Sequence, residues 1–223
     1  SGSVLFVAGP IVIQHDLLLS TAMTVRAGIT AGNVTVRSGG LLHLTTRVDV
    51  TNDMTIESGG TVRHNVTSTA SSTVRLFVNR TLTVDTGGAV DADQRSSYTT
   101  GDYYGGRGYG IRGAGWPSHG GYAYMDHGYT GSSSPCRSCN TPYGSFLDVS
   151  TLGQRRMSYS EGGSEYYGGG LVRVTATNIV LNGEIRARGY YGSSGGGIGL
   201  TLAGGSITGT GSLLAGVVAV GSS

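Results

Sequence analysis

Fixed internal repeats constrain the fold of this chain more than any other feature of its sequence. The stretch NVTVRSGGLLHL at 33–44 recurs as DMTIESGGTVRH at 53–64 and as TLTVDTGGAVDA at 81–92. Near the C-terminus, VRVTATNIVLNGEIRARG at 172–189 aligns in step with LTLAGGSITGTGSLLAG at 200–216. Repeats of this length are typical of solenoids, in which one unit buries its apolar face only against stacked copies of itself.

Within one repeat, apolar and polar residues alternate as they do in half-buried strands. Val34 and Val36 share one side of a predicted strand, and SGG at 38–40 supplies a turn before alternation resumes. A third short run, RVDV at 47–50, completes the unit. The pattern predicts an all-β fold, a parallel β-helix (β-solenoid) with three short strands in each rung of about 20 to 28 residues. The predicted inward stack contains Val34, Val36, Met54, Ile56, Leu82 and Val84.

The composition divides this predicted solenoid into three consecutive segments. N-terminal rungs cover 1–95, an insertion rich in Gly, Tyr and Ser covers 96–170, and C-terminal rungs cover 171–223. The chain has 41 Gly but only 4 Pro, and the glycines lie at turns between short apolar runs. We therefore expect one continuous domain with an ordered insertion, rather than a collagen-like or disordered chain.

Charged residues fall on the predicted outward columns of the coil. Arg37, Glu57 and Asp85 share one column, and His43, Arg63 and Asp91 share another. The structural interpretation of these columns is that their charges form exposed ion pairs between neighbouring rungs. The alternative is a glycan-cleaving enzyme, which needs carboxylates converging on one groove, and only Asp91 and Asp93 lie close on one parity. No catalytic residue, metal site or cofactor is assigned.

The insertion concentrates the aromatic residues of the chain. All 13 tyrosines and the single tryptophan lie between Tyr98 and Tyr191. They either cover glycine-rich turns, or stack on sugars or another subunit, because Tyr is enriched at interfaces. A platform for single-stranded DNA would need a stronger positive field. The candidate interface residues are Tyr103, Tyr104, Tyr109, Trp116, Tyr122, Tyr124, Tyr166 and Tyr167.

The only two cysteines form the motif CRSC, at Cys136 and Cys139. In an oxidising compartment they form a local disulfide or link to partners. A zinc site with His119 and His127 is a second possibility, although the spacing is unusual for one. A redox pair would need a βαβ context, which the sequence lacks.

Three N-x-T sequons begin at Asn33, Asn65 and Asn79. Asn33 has outward parity, Asn65 falls in an expanded corner and Asn79 stands near the start of a predicted strand. Each is a candidate glycosylation site, and the alternative is a chance sequon in a Thr-rich β protein.

The charge and hydropathy of the chain limit the classes of partner that it is expected to bind. All 15 basic residues are Arg, and the net charge of +2 is too small and dispersed to indicate nucleic acid or an anionic membrane. No apolar run approaches the roughly 20 residues that a membrane-spanning helix needs. The chain begins at Ser1 and lacks a signal-peptide pattern. We therefore expect a mature product or an excerpt of a longer precursor.

The stretch GGGLVRVTATNIVLNGEIRARG followed by SSGGGIGLTLAGGSITGTGSL resembles the glycine-rich β-helical modules of very large secreted or surface proteins of microbes and protists. The resemblance covers roughly 105–215, and the chain departs from it at CRSC and in its dense tyrosines. It implies an extracellular structural or adhesive module and brings no catalytic residues with it.

Both ends of the sequence are apolar and have few charges. A solenoid leaves an unpaired strand edge at each terminus unless a cap covers it. We therefore expect head-to-tail assembly into a surface fibre, or contact with flanking modules of one precursor. A glycan-binding adhesin is the alternative, and a β-helix carbohydrate-active enzyme is the third. The expected subunit-end contacts are Val4, Leu5, Phe6, Val217, Val218 and Val220.

Overall fold

The computed structural model describes residues 5–7, 9–64, 73–95, 149, 156–157, 165–190, 193 and 195–218. Within these ranges the chain forms strands and no helix, which confirms the predicted all-β class. The strands are β1 (Leu5–Val7), β2 (Ile11–Leu19), β3 (Ala22–Val25), β4 (Ile29–Val36), β5 (Leu41–Leu44), β6 (Arg47–Val50), β7 (Met54–Ile56), β8 (Thr61–His64), β9 (Thr73–Val84), β10 (Ala89–Asp91), β11 (Arg156–Met157), β12 (Glu165–Tyr166), β13 (Leu171–Leu181), β14 (Glu184–Arg186), β15 (Gly189–Tyr190), β16 (Gly197–Leu202), β17 (Ile207–Thr208), β18 (Ser212–Leu214) and β19 (Val217–Val218).

Two larger sheets contain most of the described strands. Sheet A has seven strands in the order β1-β3-β5-β8-β10-β14-β18. Sheet B runs in the order β16-β13-β9-β6-β4-β2, with β7 beside β4 and β9 and with β17 beside β13. Neighbouring strands of sheet A are parallel, and so are β2, β4, β6, β7 and β9 of sheet B.

The strand registers follow the repeats seen in the sequence. Val34 lies opposite Met54, and Met54 lies opposite Leu82. In the C-terminal part, Ile179 lies opposite Ile207. These pairings confirm the predicted inward neighbours, because each strand pairs with the corresponding strand of the adjacent repeat.

The third run of the repeat behaves differently from the prediction of three separate strands. β4 pairs with β6 through its first half and with β7 through its second half. β9 also spans both strands. RVDV at 47–50 therefore belongs to the same sheet as MTI at 54–56, and β4 and β9 run unbroken through a position where β6 and β7 are separated.

Asx side chains support the main chain where β6 and β7 are separated. The Asn33 Oδ1 atom accepts a hydrogen bond of 3.2 Å from the Asp53 N–H, and the Asp53 Oδ1 atom accepts one of 3.0 Å from the Thr81 N–H. The Asn178 Oδ1 atom accepts the Ser206 N–H in the same way at 3.2 Å. Each side chain thus satisfies a backbone donor one repeat later.

The core consists of the inward positions of both sheets, most of which are fully buried. Val34, Met54, Leu82 and Ile179 are each 0 % exposed. The corresponding fully buried residues of sheet A include Leu42, Val62, Val90 and Ile185. Apolar burial along these continuous columns is the main favourable contribution to folding.

The chain divides into two compact units, each of which is discontinuous in sequence. The first contains 1–92, 172–186 and 198–214, and it holds nearly all of sheets A and B. The second contains 93–171, 187–197 and 215–223. Its described strands form two small sheets, one of β11 with β12 and one of β15 with β19.

The recurring Gly-Gly turns use their two glycines for different reasons. Gly39, the first glycine of its pair, has a φ of 76°, which an L side chain rarely adopts. Gly60, the second glycine of its pair, packs against the preceding repeat, where an added Cβ would fall on the carbonyl oxygen of Val36. The first position therefore requires conformational freedom, and the second requires the absence of a side chain.

We expect Gly60→Ala to lower the free energy of unfolding by about 2 kcal/mol, because the backbone of the adjacent strand must shift to admit a methyl group. Gly39→Ala should cost about 1 kcal/mol, since only the backbone conformation is strained there. Gly28→Ala is the control, because its nearest neighbour is the Arg47 carbonyl oxygen at 4.0 Å. Urea denaturation of the three variants checks this order, and equal losses at Gly28 and Gly60 would contradict it.

Candidate functional site

The outward face of sheet A carries a row of ionic side chains. His43 lies opposite Arg63, Arg63 opposite Asp91, and Asp91 opposite Arg186, as the predicted column required for its first three members. The Arg63 Nε atom donates to Asp91 Oδ2 at 2.8 Å, and Arg186 Nε lies 3.3 Å from Asp91 Oδ1. The two carboxylate oxygens of Asp91 thus face two different arginines, one from each neighbouring strand.

The expectation that these ion pairs are exposed is wrong for Asp91, which is only 2 % exposed. All three residues of β10 are buried, so this strand is covered on both faces. Glu184 balances the second arginine, because Arg186 Nη1 donates to Glu184 Oε2 at 3.1 Å. Arg63, Asp91, Glu184 and Arg186 carry two positive and two negative charges, and their ion pairs link the three adjacent strands β8, β10 and β14.

The carboxylate pair considered for an enzyme is engaged with arginines. Arg188 binds the Asp93 carboxylate through its Nε atom at 2.9 Å and its Nη2 atom at 2.7 Å, while its backbone N–H donates at 2.6 Å. Asp91 is held by Arg63 and Arg186, as described above. Throughout the described part of the chain, no three His, Cys, Asp or Glu side chains are grouped so that they could hold a metal ion.

The other predicted charge column forms no such cluster. Arg37, Glu57 and Asp85 each follow a strand at an equivalent position, since the residues before them are aligned as Val36, Ile56 and Val84. Within the described ranges, no ion pair joins these three side chains. This column, with one positive charge followed by two negative charges and no ion pair among them, therefore contributes little to stability.

The three sequon asparagines differ in their surroundings. Asn33 is half-buried, and its Nδ2 atom donates to Asp16 Oδ1 at 2.8 Å while its Oδ1 atom accepts the Asp53 N–H. Asn79 is exposed on β9. Asn65 lies outside the described residues. Glycosylation stays a prediction at all three, and Asn79 has the most open side chain of the two that are described.

The outward face of sheet B carries an arginine and phenylalanine patch that sequence reasoning missed. Arg47 lies opposite Arg75, and Asp49 lies opposite Phe77. The Arg47 guanidinium carbon is 4.8 Å from the centroid of the Phe77 ring, and Phe77 is 45 % exposed. The parity of RLFV at 75–78 was the available signal, because it directs Phe77 outward between inward Leu76 and Val78.

Asp49 neutralises only one of these arginines. The Asp49 carboxylate accepts from Arg47 Nε at 2.9 Å and lies 2.6 Å from Arg47 Nη2. This hydrogen bond, and then the charge of Asp49, raises the pKa of Arg47 above its ordinary value. Arg75 is exposed, and it forms no ion pair with any other described residue. The patch therefore keeps a positive charge beside an exposed aromatic ring.

Most of the predicted interface residues cannot be placed. Tyr166 belongs to β12, and Tyr167 is half-buried, with its carbonyl oxygen accepting from the Ser193 hydroxyl at 2.8 Å. Cys136, Cys139 and the zinc candidates His119 and His127 lie outside the described residues, as do Tyr103, Tyr104, Tyr109, Trp116, Tyr122 and Tyr124. Their roles stay predictions.

The predicted subunit ends lie in strands where they are described. Leu5 and Phe6 belong to β1, and Val217 and Val218 form β19. Val4 and Val220 lie outside the described residues. β1 and β18 are the outer strands of sheet A, and β2 ends the path of sheet B.

No protein-family model matches the chain, and neither a curated protein nor a solved structure shows significant similarity to it. Among the described residues, no helix has the length and apolar character needed to cross a membrane.

Proposed function

We propose that the chain is a parallel β-helix that serves as a structural module of the cell exterior, and that its modules stack end to end into a surface fibre. The repeated return of the chain from sheet B to sheet A supports the coil. Hydrogen bonds between neighbouring repeats also support the coil. The Asn33 side chain accepts from the Asp53 N–H, 20 residues later, and the Asp53 side chain accepts from the Thr81 N–H, 28 residues later. The extracellular location rests on the sequence resemblance and on the sequons.

The observation that carries the stacking proposal is the open end of the core at β17 and β18. Ile207 continues the column of Ile179, yet it is 46 % exposed where Ile179 is 0 % exposed. Leu213 continues the column of Ile185, and it is 51 % exposed where Ile185 is 0 % exposed. Two core columns thus end in apolar side chains that a further parallel strand would bury.

The opposite edge of sheet B has the same character. Ile11 and Leu17 on β2 are half-buried, whereas their partners Ile29 and Val34 are 0 % exposed. An edge with unpaired backbone groups and part-exposed core residues suits the end of another copy. A contact between unlike ends is heterologous, and it extends into a filament unless rotation closes a ring.

We expect Ile207→Asp with Leu213→Asp to weaken end-to-end association at least about tenfold, because two apolar contacts are lost and charges are placed at the interface. Thr208→Asp is the matched control, since Thr208 is the neighbour of Ile207 on the same strand and points to the other face. Analytical ultracentrifugation measures the association, and electron microscopy shows whether filaments form.

The exposure of Ile207 and Leu213 means that the double variant should keep its strand content, which circular dichroism checks. A wild-type chain that stays monomeric at high concentration would overturn the fibre. Equal weakening by Thr208→Asp would show that the apolar columns are not the contact.

A glycan-binding adhesin module is the second candidate, and the Arg47, Arg75 and Phe77 patch favours it. An exposed aromatic ring beside unneutralised positive charge is a surface that can hold a sugar bearing acidic groups. This function does not require the coil ends to meet.

A further inference from the structure

The outward face of sheet B brings arginines of neighbouring strands together. Arg47 on β6 and Arg75 on β9 are directly opposite in a parallel register. Strand β13 adjoins β9 on its other side, and Arg173 is its third residue, as Arg75 is the third residue of β9. Both strands begin with the same burial sequence, two buried residues, the exposed arginine and a buried residue. Three adjacent strands therefore each contribute an arginine to one face.

This arrangement has an energetic cost within the chain itself. Like charges directly opposite each other on neighbouring strands are destabilising. Asp49 offsets the charge of Arg47, but Arg75 has no such partner among the described residues. An anionic ligand lying across the strands, which are roughly 4.8 Å apart, would offset the charge of Arg75.

Phe77 adds an apolar contact beside the positive charges. This residue is 45 % exposed although the neighbouring inward residues Leu76 and Val78 are each 1 % exposed. The Arg47 guanidinium, 4.8 Å from the ring centroid, fixes the ring by a cation–π contact. A fixed, exposed ring can pack against the C–H groups of a pyranose, which a ligand made only of charges would not use.

We propose that the sheet B face formed by Arg47, Arg75, Phe77 and Arg173 binds an acidic polysaccharide. A carboxylate of the polymer pairs with Arg75, the positive charge of Arg173 on the next strand adds to the attraction, and a sugar ring packs on Phe77. A polysaccharide fits better than a nucleic acid because the net charge of the chain is only +2, whereas nucleic-acid sites neutralise many phosphates at once. The inference deepens the second candidate function and is independent of the stacking proposal.

The test is binding of the full chain to immobilised polygalacturonate, measured by biolayer interferometry at low and high salt. Arg75→Ser is expected to weaken binding about fivefold, and Arg75→Ser with Arg173→Ser about tenfold or more. Phe77→Ser should weaken binding without changing the slope of its salt dependence, because it removes no charge. Arg37→Ser is the matched control, since it removes an exposed arginine from the turn after β4 and should bind as the wild type does.

Three results would overturn the proposed binding of an acidic polysaccharide at this face. Equal binding to neutral dextran would overturn the role of the acidic groups, and equal binding to duplex DNA would overturn the assignment to a sugar polymer. Loss of binding in Arg37→Ser to the same extent would mean diffuse charge rather than this face. The edge variants Ile207→Asp and Leu213→Asp should bind normally, so failure of the fibre and failure of this site are distinguishable.

Discussion

Leu82→Ala is expected to lower the free energy of unfolding by about 3 kcal/mol, among the largest effects available to a single substitution in this chain. Leu82 is 0 % exposed and lies opposite Met54 in the inward column of sheet B. Truncation removes apolar burial and leaves a cavity between stacked strands, which cannot collapse without moving two strands that are themselves paired. Urea denaturation followed by circular dichroism measures the loss.

Leu18→Ala provides the matched control on the same sheet. Leu18 is 54 % exposed on β2, and its outward position puts the same chemical change into solvent. Its cost should stay within about 0.5 kcal/mol, as is usual for surface substitutions. Similar losses at Leu18 and Leu82 would mean that the inward column does not carry the stability of the fold.

The inward columns could be predicted from sequence because they depend on two simple regularities. Alternation fixes which side chains share a face, and the in-step recurrence of the Gly-Gly turn fixes which strands pair. Together they gave the Val34, Met54 and Leu82 column before any register was known. The same reasoning gave the pairing of Ile179 with Ile207.

The path of the chain between those columns was harder to predict. RVDV at 47–50 reads as an independent third strand, yet β6 and β7 both lie beside β4. The connection depends on hydrogen bonds such as that from the Asp53 N–H to the Asn33 side chain, and a single Asn or Asp carries no distinctive pattern. Short polar residues favour many kinds of turn, so the sequence did not show that this one bends within a sheet.

The burial of Asp91 also could not be predicted from the sequence. Parity gave its outward direction and its alignment with Arg63, but its second arginine, Arg186, comes from a strand far along the chain. Outward direction implies exposure only where nothing covers the sheet, and coverage depends on the whole fold. The arginine and phenylalanine patch was missed for a related reason, because its members are brought together by the pairing of two strands, β6 and β9, from different repeats.

Asp91→Ala is expected to lower the free energy of unfolding by about 3 kcal/mol. The carboxylate is 2 % exposed and lies between Arg63 and Arg186, whose side chains are 30 % and 24 % exposed. Its removal takes a carboxylate from between the arginines of the two strands that flank β10, while the ion pair of Arg186 with Glu184 remains. The loss arises mainly because removing one member of a buried ion pair leaves the charge of the other member without that partner.

Asp49→Ala is the control for Asp91→Ala, because Asp49 also binds an arginine but in an exposed pair, with Arg47 54 % exposed. Its cost should be much smaller than that of Asp91→Ala, and 1 M NaCl should nearly abolish it by screening. The loss in Asp91→Ala should largely persist at that salt concentration, since a buried cluster is shielded from ions. A small loss of stability in Asp91→Ala that disappears at high salt would mean that Asp91 acts as an ordinary surface charge. It would contradict the role of Asp91 as a buried partner of arginines on both neighbouring strands.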